Sequence, residues 1–188
     1  MQEQEYQSLM LLPDTKNVQT CRAAAFDQLI LTHFVESFGP LQSSFPGIKS
    51  STWLDSLPSY LTTNTNSLAR NSIRAASMIS YSRLAYDETL QKEALRWYGT
   101  ALGDLQSNIS RFPRRVTDTA ICSVVMLMHF ETWASTFPKS WLQHVKGACR
   151  MLEVLGPQAC QDGFIHMIFV HMRLQIVRNN EDFAVAIC

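Results

Sequence analysis

The sequence predicts an all-α fold of about six to seven packed, antiparallel helices. Apolar residues recur at helical spacing along most of the chain, and no run alternates apolar and polar residues as a half-buried strand would. Short polar or Gly/Pro-containing connectors separate these segments, which makes consecutive helices antiparallel neighbours. Hydrophobic residues make up 46% of the 188 residues and charged residues 17%. This balance supports a folded core rather than a disordered chain.

We divide the chain into an N-terminal tail, 1–17, expected to be partly disordered, and a helical domain, 18–188. The first predicted helix runs from Val18 to Phe38. Gly39 and Pro40 then end it, since Gly tolerates the cap conformation and Pro cannot continue a helix. Its predicted apolar face consists of Phe26, Leu29, Ile30, His33 and Phe34.

Two helices are predicted before residue 87. A short one spans Trp53 to Leu61, and Pro58 is expected to disturb it. Polar residues 62–67 supply an N-cap for the next helix, which runs from Ser67 to Tyr86. The residues predicted to face inward on that helix are Ala69, Ile73, Ala76 and Ile79 or Ser80.

The fourth and fifth predicted helices differ in how their apolar residues are distributed. The fourth, Glu88 to Ile109, has the clearest amphipathic stripe in the chain. That stripe consists of Ala94, Leu95, Tyr98, Ala101, Leu102, Leu105 and Ile109. The fifth begins after a cap at Thr117 or Asp118 and ends near Ala134. It is apolar nearly all round, which predicts a central, buried helix.

Ser140 and Gln143 fit a capping box that would begin the sixth helix, and Gly156 with Pro157 would end it. Its inward stripe is predicted to be Trp141, Val145, Ala148, Leu152 and Leu155. A seventh helix is predicted from Gln161 to Val177. The residues it should pack inward are Ile165, Ile168 or Phe169, Met172 and Ile176.

Gly147 lies in the interior of the sixth predicted helix. A glycine there costs about 1 kcal/mol of helix stability relative to alanine. This cost predicts that another helix crosses close to Gly147, with Ala148 giving further room and Trp141 anchoring the helix start.

No catalytic or metal-binding pattern stands out. The five cysteines are dispersed without C-x2-C spacing and are interpreted as buried, reduced thiols: Cys21, Cys122, Cys149, Cys160 and Cys188. His166 and His171 are five residues apart, on different helix faces. His129 and His144 lie on consecutive helices and could face each other, but no carboxylate motif accompanies them. We therefore expect no catalytic residue, metal or cofactor in this chain.

The charge balance also limits the partners. Sixteen basic and sixteen acidic residues give zero formal net charge, which argues against autonomous DNA binding. The basic cluster, in a predicted linker, is Arg111, Arg114 and Arg115. No apolar stretch reaches the roughly 18–20 residues of a membrane span, and the first residues lack the basic region of a secretory signal. We expect an intracellular protein without membrane association.

Four features, in chain order, resemble the regulatory domain of fungal binuclear zinc-cluster transcription factors. They are the Tyr–Ala–Leu core at Tyr98, Ala101 and Leu102, the aromatic–Glu pair Phe130–Glu131, the W-x2-H-x2-G-A helix at Trp141, His144, Gly147 and Ala148, and the F-x3-R helix at Phe169 and Arg173. The resemblance is strongest from 88 to 177. We interpret its motif residues as structural: Glu131, Trp141, His144, Gly147, Ala148, Phe169 and Arg173.

The resemblance implies a transcription-regulating module in the nucleus, or otherwise in the cytoplasm, and not an enzyme. The family's six-cysteine zinc cluster has no counterpart in this sequence, so no zinc cofactor and no specific DNA binding are expected. The family's helical domain usually continues further. The chain is therefore expected to be the first half of a larger regulatory domain, truncated at its C-terminus.

The resemblance leaves the mode of action open. It is compatible with binding to a full-length zinc-cluster regulator or another transcription protein, and with an unknown small-molecule effector. The alternative from a different class is a helical protein–protein interaction scaffold unrelated to transcription.

Overall fold

A computed structural model describes residues 15–38, 52–111 and 115–178. Within these ranges the chain forms seven α-helices and two short 3₁₀ turns, with no strand, which confirms the all-α prediction. The helices are α1 (Thr15–Phe38), α2 (Leu57–Thr63), α3 (Ser67–Ala85), α4 (Glu88–Arg111), α5 (Asp118–Ala134), α6 (Ser140–Leu155) and α7 (Gly163–Arg178). The 3₁₀ turns are Trp53–Ser56 and Pro157–Cys160.

Helices α3 and α5 form the centre of the fold. α3 packs against α1, α4 and α5, while α5 also carries α6 on its other side. Every residue of α5 from Ala120 to Glu131 is buried. The prediction of a central helix is thereby confirmed, because a helix that is apolar all round must be covered on all sides.

Several predicted helix ends have the expected local cause. Thr117 begins α5, and its hydroxyl oxygen accepts the Ala120 N–H at 3.2 Å. Asp87 precedes α4, and its carboxylate accepts the Leu90 N–H at 2.9 Å. Gly156 ends α6 with φ 86°, a backbone conformation that favours glycine.

Two local predictions are wrong. Pro58 does not disturb a helix, because it lies in the first turn of α2, where its missing N–H would have no partner within the helix. Ser140 is not the cap of a capping box. The residue before α6 is Lys139, which has φ 60° and makes no side-chain cap hydrogen bond. The Ser140 hydroxyl instead donates a hydrogen bond to the Glu131 carboxylate.

The inward face of α1 was predicted only in part. Ile30 and Phe34 are buried, but Leu29 is 52% exposed, and Leu31 is buried instead. On α3 the predicted inward residues are all buried: Ala69, Ile73, Ala76, Ile79 and Ser80.

The apolar stripe of α4 is wider than the surface that covers it. Its buried members are Ala94, Ala101 and Leu105, and the exposed ones, against prediction, are Leu95, Leu102 and Ile109. α4 packs chiefly on α3 and much less on α5, so no helix of the described residues covers one flank of the stripe.

On α6 and α7 the predicted stripes are largely confirmed. The fully buried members are Val145, Ala148, Leu152, Ile165, Ile168 and Met172. Trp141, Leu155, Phe169 and Ile176 are half-buried against the same core.

Several expectations concern residues outside those described. These include the tail before residue 15, the stop at Gly39 and Pro40, Arg114 and the segment 179–188, so the partly disordered tail and the C-terminal truncation remain predictions. Among the helices in the described ranges, none is both long and apolar enough to cross a membrane.

Candidate functional site: a buried polar cluster and an open groove

Glu131 is a buried carboxylate near the end of an otherwise apolar helix, with 1% of its surface exposed. A buried charge is tolerated only when hydrogen-bond donors surround it. Four are present: the hydroxyls of Tyr98 (2.6 Å), Thr136 (2.6 Å) and Ser140 (2.5 Å), and the Thr136 backbone N–H (2.9 Å). Four hydrogen bonds occupy roughly the four lone-pair positions of a carboxylate.

The loop between α5 and α6 brings two of these donors back to Glu131. Ser135 adopts a left-handed conformation, φ 47°, and its N–H bonds the Glu131 carbonyl, which ends α5. The chain therefore reverses at Thr136. Ser140 is the first residue of α6, so the carboxylate also lies at a helix N-terminus, where the helix dipole favours negative charge.

Tyr98 connects this carboxylate to α6. Its ring stacks on Phe130 with centroids 4.2 Å apart, and its oxygen lies 3.1 Å from His144 Nε2. The single Tyr98 proton is donated to Glu131. We therefore assign a proton to His144 Nε2, which donates to the Tyr98 oxygen.

Each group is held in the protonation state this network needs. Burial raises the pKa of Glu131, but the hydrogen bonds from Ser140, Thr136 and Tyr98 outweigh it, and the net pKa lies below the usual value. Burial, together with the Glu131 charge, raises the pKa of Tyr98. Burial lowers the pKa of His144 although Glu131 opposes this shift, so its imidazole stays neutral.

We call Tyr98, Glu131, Thr136, Ser140 and His144 the Glu131 cluster. It joins α4, α5 and α6 through side chains that all donate, directly or in sequence, to one ionised carboxylate. With its lone pairs occupied, Glu131 has no free position from which to accept a substrate proton. We interpret the Glu131 cluster as structural: its hydrogen bonds hold α4, α5 and α6 together, and we refer to this role as the clasp.

Removing one donor from the clasp should have a moderate effect. Tyr98→Phe keeps the stack on Phe130 but removes the hydrogen bonds to Glu131 and His144. We expect a loss of about 1–3 kcal/mol of unfolding free energy, measured by urea denaturation. His144→Gln should lose less, because an amide can still donate to Tyr98. Equal stability of Tyr98→Phe and the wild type would contradict the clasp.

The histidines pair differently from the prediction. His129 does not face His144; its Nε2 lies 3.2 Å from Nε2 of His171 on α7. Aromatic rings surround it, with Trp53 stacked at 6.1 Å and Phe34 edge-on at 5.8 Å. Among the described residues no group of three or more His, Cys, Asp or Glu side chains is placed to hold a metal ion. The absence of a metal from the protein remains a prediction.

Gly147 does not mark a crossing too close for a side chain. A Cβ built there would meet one neighbouring atom, Val124 Cγ1, at an ordinary contact distance of 3.7 Å. The glycine is therefore unexplained by packing within the described chain. Gly147→Ala should stabilise the protein by up to about 1 kcal/mol, since alanine favours the helix. A lower melting temperature for this variant would show a clash that the structure does not contain.

The last family motif residues, Phe169 and Arg173, lie on α7 beside a cavity that residues of α6 also line. The Arg173 guanidinium is 5.8 Å from the centre of the Phe169 ring, and both residues line an apolar cavity of 390 Å³. Burial raises the pKa of Cys149 in the same cavity, which disfavours its reactive thiolate form. Trp141 is half-buried, and Ala148 is fully buried against the core.

A separate cavity of 420 Å³ lies between α1 and α3. Arg74 Nε and Asp27 Oδ1 are 3.1 Å apart there, although their orientation does not make a hydrogen bond. Arg74 also stacks over the Trp97 ring at 4.4 Å. The buried Ser77 hydroxyl, which lines the cavity, has no hydrogen-bond partner among the described residues.

Sequence reasoning identified Glu131, Tyr98 and His144 but not their connection, and it missed Thr136 and Ser140 as donors. The signal was a single carboxylate inside an apolar helix, because such a group must find donors elsewhere in the fold. The loop residues that supply them carry hydroxyls but no sequence motif.

An all-helical domain clasped by a saturated polar cluster, with open apolar surface on its outer helices, has the features of a regulatory or interaction module. The model of the fungal specific transcription factor domain matches residues 29–177, and the chain belongs to that family. The match reaches from α1 to α7, further towards the N-terminus than the strongest part of the predicted resemblance, 88–177. Searches of the curated proteins and of the solved structures found no match.

Proposed function

We propose that this chain acts in the nucleus by binding a protein partner, such as a full-length zinc-cluster regulator or another transcription protein. Its family membership supports a role in transcription regulation, and the match over residues 29–177 is the observation that carries the proposal. Zero formal net charge supports action through a partner rather than through DNA. In the described part of the basic cluster, Arg111 and Arg115 are exposed.

The test is made in a fungal host. The tagged chain is expected to accumulate in the nucleus, to change transcript levels when overexpressed, and to co-purify with a DNA-binding regulator after crosslinking. A matched variant, Glu131→Ala, should lose these effects because the clasp is broken. A chain that stays in the cytoplasm and leaves the transcriptome unchanged would contradict the proposal and favour a scaffold unrelated to transcription.

A DNA titration tests the indirect mode of action. The purified chain, mixed with genomic fragments at about 0.1 M salt, is expected to show no sequence preference. A true site would be bound at least ~10³-fold more tightly than bulk DNA. Sequence-selective binding without a partner would overturn this part of the proposal.

The cavity between α1 and α3 supports a second candidate, the sensing of a small-molecule effector. Asp27, Arg74 and the Ser77 hydroxyl, which has no hydrogen-bond partner in the part of the chain that the structure describes, give it polar groups beside an apolar wall. A thermal-shift screen with amino acids and organic acids tests it. The expected result is a ligand that raises the melting temperature of the wild type but not of Ser77→Val or Arg74→Leu. Equal shifts in these variants would place the ligand elsewhere.

A further inference from the structure

A groove lies between α4 and α6, above α5. α4 packs mainly on α3 and α6 mainly on α5, and the Tyr98–His144 hydrogen bond connects the two helices at one point. Two cavities, of 650 and 280 Å³, lie between α4 and α6. Their linings include Glu131 in the larger cavity and Ala120 in the smaller, so α5 forms the floor of both.

The walls of this groove carry exposed apolar side chains. α4 contributes Leu102 and Ile109, α6 contributes Val154, and the preceding loop contributes Phe137, which is 73% exposed. We call the surface formed by Leu102, Ile109, Phe137, Gly147 and Val154 the α4–α6 groove. Exposed apolar side chains gathered around neighbouring cavities are typical of an interaction site.

The spacing of these residues suits a helix. Leu102 and Ile109 are seven residues apart, two helical turns, and so are Gly147 and Val154. Both walls therefore repeat every ~10.5 Å along their axes. An amphipathic helix presents apolar residues at i, i+3 or i+4, and i+7, which matches that repeat.

Gly147 lies on the α6 wall of the groove. α5 does not require the absence of a Cβ at Gly147, since Val124 would tolerate one at 3.7 Å. The absence of a side chain instead leaves the α6 backbone open towards the smaller cavity, which Gly147 lines. A docked helix can approach there more closely than at any larger residue. This accounts for a glycine that costs about 1 kcal/mol in the isolated helix.

The charges around the groove indicate which charge the bound helix should carry on its polar face. Arg115, Lys139 and Arg150 line the two cavities. Among the described lining residues the only carboxylate is Glu131, whose lone pairs are occupied within the protein. Glu153 pairs with Arg150 at 2.8 Å, but both side chains are highly exposed, so water screens this pair.

One further carboxylate begins α5. Burial raises the pKa of Tyr60 and of Cys122, and the charge of Asp118 adds to both shifts; neither residue lines the groove. The described lining of the groove therefore carries three basic side chains, and its one carboxylate, Glu131, is hydrogen-bonded within the protein.

We propose that the α4–α6 groove binds an acidic amphipathic helix of a protein partner. The apolar face of that helix covers Leu102, Ile109 and Val154, and its Asp and Glu side chains lie against the arginines. The inference deepens the proposed function, on which it rests, by naming the surface and the chemistry of the partner.

The experiment uses the purified full chain and a fluorescein-labelled synthetic peptide of about 18 residues, long enough to span ~27 Å as a helix. The peptide carries Leu at positions with i, i+3 or i+4, i+7 spacing and Glu elsewhere. A second peptide has Lys in place of Glu, and a third is a scramble. Fluorescence anisotropy should show saturable binding of the acidic peptide, at least 10-fold tighter than either comparator and weakened by added salt.

Matched variants locate the site. Ile109→Glu, at a residue 45% exposed, should weaken binding at least 10-fold while circular dichroism shows an unchanged fold. Gly147→Leu should do the same by filling the smaller cavity. Leu174→Glu on α7, at a residue 55% exposed and away from the groove, is the control and should change the affinity less than twofold.

Three results would overturn the proposal: no saturable binding of the acidic peptide, equal binding of the basic one, or equal loss with Leu174→Glu and Ile109→Glu. A wild-type dimer that Ile109→Glu dissociates would assign the groove to a second copy and equally overturn it. If peptide binding fails while the chain still changes transcription in the cell, only the groove assignment falls. If binding holds without any transcriptional effect, the proposed function falls instead.

Discussion

Glu131→Ala should lower the free energy of unfolding by about 3 kcal/mol or more. The substitution leaves the Tyr98, Thr136 and Ser140 hydroxyls and the Thr136 N–H without their shared acceptor. Each unsatisfied buried donor costs about 1–3 kcal/mol, reduced where water can enter the larger cavity. Urea denaturation followed by circular dichroism measures the change.

Two comparisons separate the role of the hydrogen bonds from that of the charge. Glu131→Gln keeps one side-chain carbonyl oxygen as an acceptor, so its loss of unfolding free energy should be smaller than that of Glu131→Ala. A loss should remain, because the amide NH2 group that replaces the second oxygen is a donor facing hydroxyl neighbours. Glu153→Ala, at an exposed ion pair on α6, should stay within about 0.5 kcal/mol of wild type. A loss below about 1 kcal/mol for Glu131→Ala would mean that water replaces the donors freely, and the cluster would not be a clasp.

The same cluster shows how far sequence reasoning reached. That α5 is buried followed from its apolar composition, because no exposed face was available. The hydrogen-bond partner of the Ser140 hydroxyl could not be predicted from the sequence. A capping box would have the Ser140 oxygen accept the Gln143 N–H, whereas in the structure the Ser140 hydroxyl donates to the ionised Glu131, whose surroundings depend on the left-handed turn at Ser135.

Periodicity also overestimated the buried part of α4. It correctly placed Ala94, Ala101 and Leu105 on one face, but it could not show how much of that face a neighbour covers. Leu102 and Ile109 belong to the same stripe and remain exposed because α6 lies across α5 rather than against α4. Residues that look like core in the sequence can therefore form the wall of a binding groove.

Gly147 was similarly interpreted from a correct physical premise. A glycine within a helix costs about 1 kcal/mol relative to alanine, so a compensating role was expected. The expectation placed that role inside the chain, whereas the structure shows room for a Cβ beside Val124 and an open cavity beyond. Sequence alone cannot distinguish a close crossing within one chain from a surface left open for another.

The buried His129 and the half-buried His144 further predict a strong dependence of stability on pH. Burial, assisted by the neighbouring His171, lowers the pKa of His129 to about 3. Burial also lowers the pKa of His144. An unfolded histidine has a pKa of about 6.5, so the unfolded chain binds more protons than the folded one below that pH. The stability is fully present above about pH 6.5 and is lost as the pH falls towards 3.

For His129 alone the expected slope is about 1.4 kcal/mol per pH unit between about pH 6.5 and 3. His144, whose pKa is also lowered in the folded chain, adds to the loss in the same direction. Below about pH 4.5 Glu131, whose pKa is lowered in the folded chain, adds a further loss in the same direction. We expect the midpoint of urea unfolding to fall steadily on acidification from pH 7 to 4.

His129→Gln should reduce the slope of stability against pH by the contribution of about one proton, because the side chain that becomes charged on unfolding is gone. The glutamine amide can still form a hydrogen bond to His171. Its absolute stability at pH 7 is secondary to the slope, which is measured from urea unfolding at half-unit steps between pH 7 and 4. The control is Val125→Ala, a fully buried position on the same helix. It should lower stability at every pH and leave the slope unchanged, since it removes packing without a titrating group. If His129→Gln keeps the wild-type slope, His129 is accessible to protons in the folded chain, and its burial between Trp53 and His171 does not determine the acid sensitivity of this domain.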